Sequence, residues 1–139
     1  MLAMTTPSDT LHQQLRGMLR EAFGELVREA PEEPAFFVQS GRIGVRVEVE
    51  AVSEQNVLIE CYSWVAQGLP IDGRVCEFLV RRNASLRFGT LCVDGEGAIF
   101  LRHALFSEQL QGPVLSRLIQ LLGSTADTID DELRERFAR

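Results

Sequence analysis

The side chains in this sequence that could do chemistry are few, and their spacing does not bring them together. His12 and His103 are its two imidazoles. One lies in a helical pattern and the other in a strand pattern, and neither has a second ligand at the spacing a metal site needs. Cys61, Cys76 and Cys92 are widely separated, form no C-x-x-C pair and fall at apolar positions, which points to reduced thiols packed in a core. Glu48, Glu50 and Glu60 have the chemistry of general acids or bases, but they sit on the wet face of alternating strands, where charge is the ordinary choice. Asp130-Asp131 reads as solvated helix surface. Gly95-x-Gly97 lacks the longer glycine pattern and the following helix of a phosphate cradle, and no P-loop or G-x-S-x-G occurs. No catalytic residue, metal ligand set or cofactor motif emerges, and a non-enzyme is expected.

Those residues belong to a chain of 139 amino acids, the length of a single domain with a sizeable core. It is 45% hydrophobic and 24% charged, an ordinary globular composition. Its net charge of −6 repels phosphate backbones and anionic lipid, so neither nucleic acid nor membrane is an expected partner. No apolar run approaches the ~20 residues of a membrane helix, and the amino end lacks a signal-peptide layout. With the unpaired cysteines, this predicts a cytoplasmic protein. One domain over 1–139 is expected, with 1–7 and 137–139 frayed.

The hydrophobic period orders the elements. Leu11, Leu15, Met18, Leu19, Ala22, Phe23, Leu26, Val27 and Ala30 form one apolar stripe, a first helix that Pro31 and Pro34 end. Thr10 and Gln13 fit a capping box after Pro7. The period then becomes two. Ala35–Gln39, Arg42–Ala51 and Asn56–Val65 read as strands, with Ser40-Gly41 as a tight turn. Asp72 caps a short second helix that buries Val75, Phe78 and Leu79, and Asn83 fits a left-handed stop. Arg87–Val93 and Ala98–His103 are two more strands about Asp94-Gly95-Glu96-Gly97. Leu115, Leu118, Ile119, Leu122, Ala126, Ile129 and Leu133 stripe a last helix, in which Gly123 is a loosening point. The expected fold is α+β, a five-stranded antiparallel sheet with the first and last helices on one face.

Turn chemistry then suggests strand registers. A two-residue Ser40-Gly41 loop sets Phe37 opposite Gly44 and Phe36 opposite Val45. For the next hairpin, a turn centred on Ser53 sets Arg46 opposite Glu60, whereas a centre at Glu54 would oppose Glu48 and Glu60, a like-charge pair. With the first choice, Phe37, Arg42, Tyr62 and Trp64 share the face away from the core, over the space left by Gly44. Such residues are over-represented in interfaces, and these four are the candidate partner-binding residues. The alternative is that a helix or loop of the same chain covers them. In the last hairpin Leu91 pairs with Phe100 and Cys92 with Ile99. Both faces are then apolar, which makes Leu91 and Phe100 candidates for a dimer interface covered by the second helix or a second subunit.

The order helix, three strands, helix, two strands, helix resembles that of the CesT-type type III secretion chaperones and of the YbjN domain, also called a sensory transduction regulator. The local similarity is strongest from Asp72 to Glu132. It runs through Phe78-Leu79-Val80-Arg81-Arg82-Asn83, Phe88-Gly89, Val93-Asp94-Gly95-Glu96-Gly97, Ile99-Phe100-Leu101-Arg102-His103, Ala126-Asp127 and Asp130-Asp131-Glu132. The resemblance implies a homodimer that binds peptide segments or partner proteins and carries no cofactor. A small-molecule sensor or enzyme with a pocket between sheet and helices is the alternative.

Overall fold

The computed structural model describes residues 7–137. Helix α1 (Pro7–Phe23) is followed by a 3₁₀ turn and strands β1 (Val27–Glu29), β2 (Ala35–Val38), β3 (Val45–Ala51) and β4 (Val57–Ala66). Helix α2 (Gly73–Ser85), strands β5 (Thr90–Val93) and β6 (Ile99–Phe106), a second 3₁₀ turn and helix α3 (Gly112–Phe137) complete the chain. The strands form one antiparallel sheet in the order β1-β2-β3-β4-β6-β5. The expected α+β architecture is present, with six strands rather than five.

The additional strand comes from the end of the expected first helix. That helix stops at Phe23, because Gly24 takes φ +57° and turns the backbone into the left-handed region. The chain reverses and Val27–Glu29 pairs with β2, giving the β2 edge a partner. Leu26, expected in the apolar stripe, is 51% exposed, whereas Val27 is buried as a strand residue. The reversal also carries Glu29 back beside α1. There Arg16 and Arg20 hydrogen-bond its carboxylate and hold its pKa down to about 2. Pro7 is already helical, so Thr10 and Gln13 lie inside α1 and do not box its start. Most of the segments expected to fray fall outside the described residues. Phe137, which is described, ends α3 with its ring 5.8 Å from that of Phe78.

One core holds the sheet and helices together. Leu11, Leu15 and Leu19 of α1 meet inward side chains of the sheet such as Phe36, Val47, Ile59 and Leu101. The α3 stripe and Val75, Phe78 and Leu79 of α2 join the same cluster. Burying each large aliphatic side chain contributes ~1.5–3 kcal/mol. Asp72 caps α2 as expected, accepting the Val75 amide at 3.0 Å. Asn83 does not stop that helix. Its amide group reaches β5, donating to the Leu91 carbonyl and accepting the Leu91 amide, so it occupies the outer edge of the sheet as a strand backbone would.

The β2–β3 connection is longer than a two-residue turn. Val38 pairs with Val45, and residues 39–44 lie outside both strands. What holds this loop is α3, more than 80 residues away. Asp127 accepts the Arg42 and Ile43 amides, and the Arg42 guanidinium donates to Asp131 and to the Asp127 carbonyl. Gly123 packs directly under Ser40, and a Cβ there would overlap the Ser40 carbonyl oxygen. It is a contact point, not a loosening point. Gly→Ala within a helix ordinarily stabilises by ~1 kcal/mol. Gly123→Ala should instead lower stability by ~1–3 kcal/mol through overpacking. Urea denaturation measures the sign, and a neutral or stabilised variant would show that the loop is not seated on α3.

Candidate functional site

With all three helix stripes in one core, the opposite sheet face carries the outward-pointing half of each strand. The pairings across it place Arg28, Phe37, Arg46, Tyr62, Arg102 and Thr90 in a single row from edge to edge. Beside this row lies an aromatic one, Trp64, Phe100 and Cys92. On its other side Ala35, Glu48, Glu60 and Ala104 are aligned.

Three of the four expected partner-binding residues meet there, and the fourth does not. Phe37 is 37% exposed, and Tyr62 and Trp64 are half-buried. The Tyr62 and Trp64 rings meet edge to face at 5.4 Å, and Trp64 lies 5.8 Å from Phe100. Arg42 instead belongs to the α3 clasp described above. Its place is taken by Arg46, whose guanidinium lies 5.4 Å from the centre of the Phe37 ring. Gly44 is not opposite Phe37. It takes φ +83° at the loop end, where its carbonyl accepts the Ser63 hydroxyl at 2.6 Å.

The β3–β4 register is the one centred on Glu54, with Glu48 opposite Glu60 and Arg46 opposite Tyr62. The Ser53 side chain sets the turn, accepting the Asn56 and Gln55 amides while the Val52 amide bonds the Asn56 carbonyl. The like-charge pair is tolerated because each carboxylate has other neighbours. Glu48 accepts hydrogen bonds from Arg46 and from the Tyr62 hydroxyl. Glu60 feels the attraction of Arg102, although burial, aided by Glu50 and Glu48, raises its pKa. Glu48, Glu50 and Glu60 thus come close enough to share a cation, a juxtaposition that residue spacing did not predict.

In the last hairpin Leu91 pairs with Leu101 and Cys92 with Phe100. The register differs from the expected one because the loop holds three residues, Gly95-Glu96-Gly97, with Gly97 at φ +84° and Asp94 accepting the Glu96 and Ala98 amides. Leu91 is therefore core, and Phe100 alone of the expected dimer pair lies on the helix-free face. The remaining reactive side chains do not converge on this face. Cys61 is buried, its thiol pushed up to about 12, and Cys76 is exposed rather than buried. His12 stacks on Phe36, and His103 stacks on Phe88 and accepts the Gly89 amide. Burial lowers the pKa of both.

Two hollows indent the face on either side of Tyr62 and Trp64. One, of about 350 Å³, includes Arg28, Phe37, Gly44, Arg46 and Gln67 in its lining. The other, also about 350 Å³, is lined by Glu60, Asp94, Phe100 and Arg102 together with the shared side chains. A surface of flat rings, guanidinium groups and shallow hollows suits contact with an extended polypeptide. Arg46 is the residue that spacing did not place in this site, since its position beside Phe37 depends on register.

Tyr62 is the chain's single tyrosine, so phenolate absorbance reports on it alone. Burial first, then the hydrogen bond to Glu48, raises its pKa above the ordinary value near 10. A phenol raised on folding stabilises the folded state fully below its unfolded pKa, and that contribution is lost as pH rises through the folded value. Alkaline titration should therefore give a midpoint above that of free tyrosine, and Glu48→Gln should lower it. An unshifted midpoint in the native protein would contradict the Tyr62–Glu48 geometry.

A family model described as type III secretion (YopN, CesT) and YbjN peptide-binding chaperone 1 matches residues 9–138. Among solved structures the chain is similar to YbjN from E. coli, with a TM-score of 0.57 and 12% identity over 85% of this chain and 92% of that one. It is also similar to an uncharacterised protein from Methanothermobacter thermautotrophicus, with a TM-score of 0.62 and 17% identity over 92% of this chain and 99% of the other. At these identities the likeness is one of fold. No curated protein matches the chain.

Proposed function

The chain belongs to the type III secretion and YbjN peptide-binding chaperone family, and from that premise we propose that it is a non-catalytic module whose helix-free sheet face holds a peptide segment of a partner protein. The observation that carries this is the continuous surface of Phe37, Arg46, Tyr62, Trp64 and Phe100, which no helix of the described residues covers. Aromatic rings offer large contact area at low entropy cost, and their half-burial by one another pre-organises them for a partner.

Trp64→Ala tests the proposal. Trp64 loses its ring contacts with Tyr62 and Phe100 in this variant, so urea denaturation should show a loss of only ~1–2 kcal/mol. Capture of extended apolar peptides on an immobilised array should weaken by ~2 kcal/mol. A stability loss of ~3–5 kcal/mol with an unchanged denaturant slope would identify Trp64 as covered core and remove the face from consideration.

Homodimerisation in the cytoplasm is the second part of the proposal. It is supported by the family resemblance; Leu91 does not contribute because its side chain is interior, and Phe100 belongs to the face assigned to the peptide. Light scattering at high micromolar concentration should give twice the chain mass of 15.6 kDa, and the mass of a single chain would refute the dimer.

A further inference from the structure

The cross-sheet row contains three arginines in two different electrostatic situations. Arg46, at the centre, is committed. It donates to Glu33 at 2.5 Å and to Glu48 at 3.1 Å, and its charge is balanced within the chain. Arg28 and Arg102, on either side, are both exposed. Neither guanidinium donates a hydrogen bond or closes an ion pair among the described residues, although Arg102 attracts Glu60 through space. One lines the first hollow and the other lines the second, so the two unpaired guanidinium groups lie in separate hollows that flank Tyr62 and Trp64.

Their separation follows from the sheet. Arg28 on β1 and Arg102 on β6 are four strand steps apart, and at ~4.8 Å per step this is roughly 19 Å. An extended peptide advances ~3.3 Å per residue and covers that distance in about six residues. Six is an even number, so side chains at the two ends of such a stretch point to the same side, as do alternate residues between them. Those intervening side chains would lie over Phe37, Tyr62 and Trp64.

We infer that the partner segment is an extended stretch crossing the strands, apolar or aromatic at its centre, with acidic side chains about six residues apart that meet Arg28 and Arg102. The inference rests on the face binding peptide and adds which peptide it selects. Glu48, Glu50 and Glu60 form the opposite margin of the row and would repel such a segment, which confines it to the arginine and aromatic side. Glu60 and Asp94 line the second hollow beside Arg102, so the basic character is stronger at the Arg28 end, whose hollow has no carboxylate in its lining. A chain of net charge −6 thus carries a local basic row fitted to an acidic ligand.

Trp64 is the sole tryptophan, so intrinsic fluorescence reads this face directly. Three synthetic peptides with one apolar centre, flanked at the stated spacing by Glu, Gln or Lys, are titrated against the full chain. The Glu peptide should bind about tenfold more tightly than the Gln peptide, and the Lys peptide most weakly. Arg28→Ala and Arg102→Ala should each cost the Glu peptide about threefold, with the Gln peptide unaffected and far-ultraviolet circular dichroism unchanged. Added salt should erase the preference. Equal binding of all three peptides would overturn the acidic selectivity while leaving peptide binding intact. No change in Trp64 emission with any peptide would overturn both. An emission shift that depends on protein concentration and blocks the Glu peptide would assign the face to a second copy of the chain and overturn the inference.

Discussion

The packing of every helix stripe against one side of the sheet is the constraint on which the rest depends. Leu15, Leu19, Leu118, Ile119 and Leu79 come from three helices and enter a single core. Strand side chains alternate between faces, so burying Val45, Val47, Ile59 and Cys61 obliges Arg46, Glu48, Glu60 and Tyr62 to point outward. In a two-layer domain that outward face meets water, and polar side chains are the low-cost choice there. The rings of Phe37, Tyr62, Trp64 and Phe100 depart from that choice together, in adjacent rows. A contiguous apolar patch of this kind is characteristic of interaction surfaces.

The helical layer also shapes the helix-free face from beneath. Asp127 and Asp131 of α3 hold the β2–β3 loop through the Arg42 and Ile43 amides and the Arg42 guanidinium, and Gly123 lets the loop lie against the helix. At the loop end, Gly44 is tied to β4 through the Ser63 hydroxyl and forms part of the first hollow. Arg42 therefore supports the face without belonging to it. At the β5 edge the Asn83 side chain bonds both backbone groups of Leu91, as a partner strand would.

Charge on the face is arranged rather than averaged. Arg46 is balanced by Glu33 and Glu48 and serves as a platform beside Phe37, and Tyr62 completes the Glu48 hydrogen bonds. Balanced groups hold the centre in one geometry and contribute little net field. Arg28 and Arg102 flank this balanced centre and are exposed.

The sequence by itself determined the period of each element, the inward rows of β2, β3 and β4, the Asp72 cap, the α3 stripe and the aromatic character of the second face, because alternation, capping and apolar spacing are local properties. It also carried the family resemblance that residues 9–138 bear out. Only the tertiary structure decided register and partners. Shifting the β2–β3 pairing or the β3–β4 pairing by two residues keeps every side chain on its face, so hydrophobic pattern cannot choose between such alternatives. The choice was made by the Asp127 clasp on one loop, the Ser53 turn on the next, and the compensation of Glu48 by Arg46 and Tyr62. Strand β1 was hidden for a related reason. Leu26 and Val27 continue the helical stripe in sequence, and only the left-handed turn at Gly24, with β2 waiting for an edge partner, converts that stretch into sheet. Contacts between residues far apart in the chain cost nothing to write into a sequence pattern and leave no period there to read.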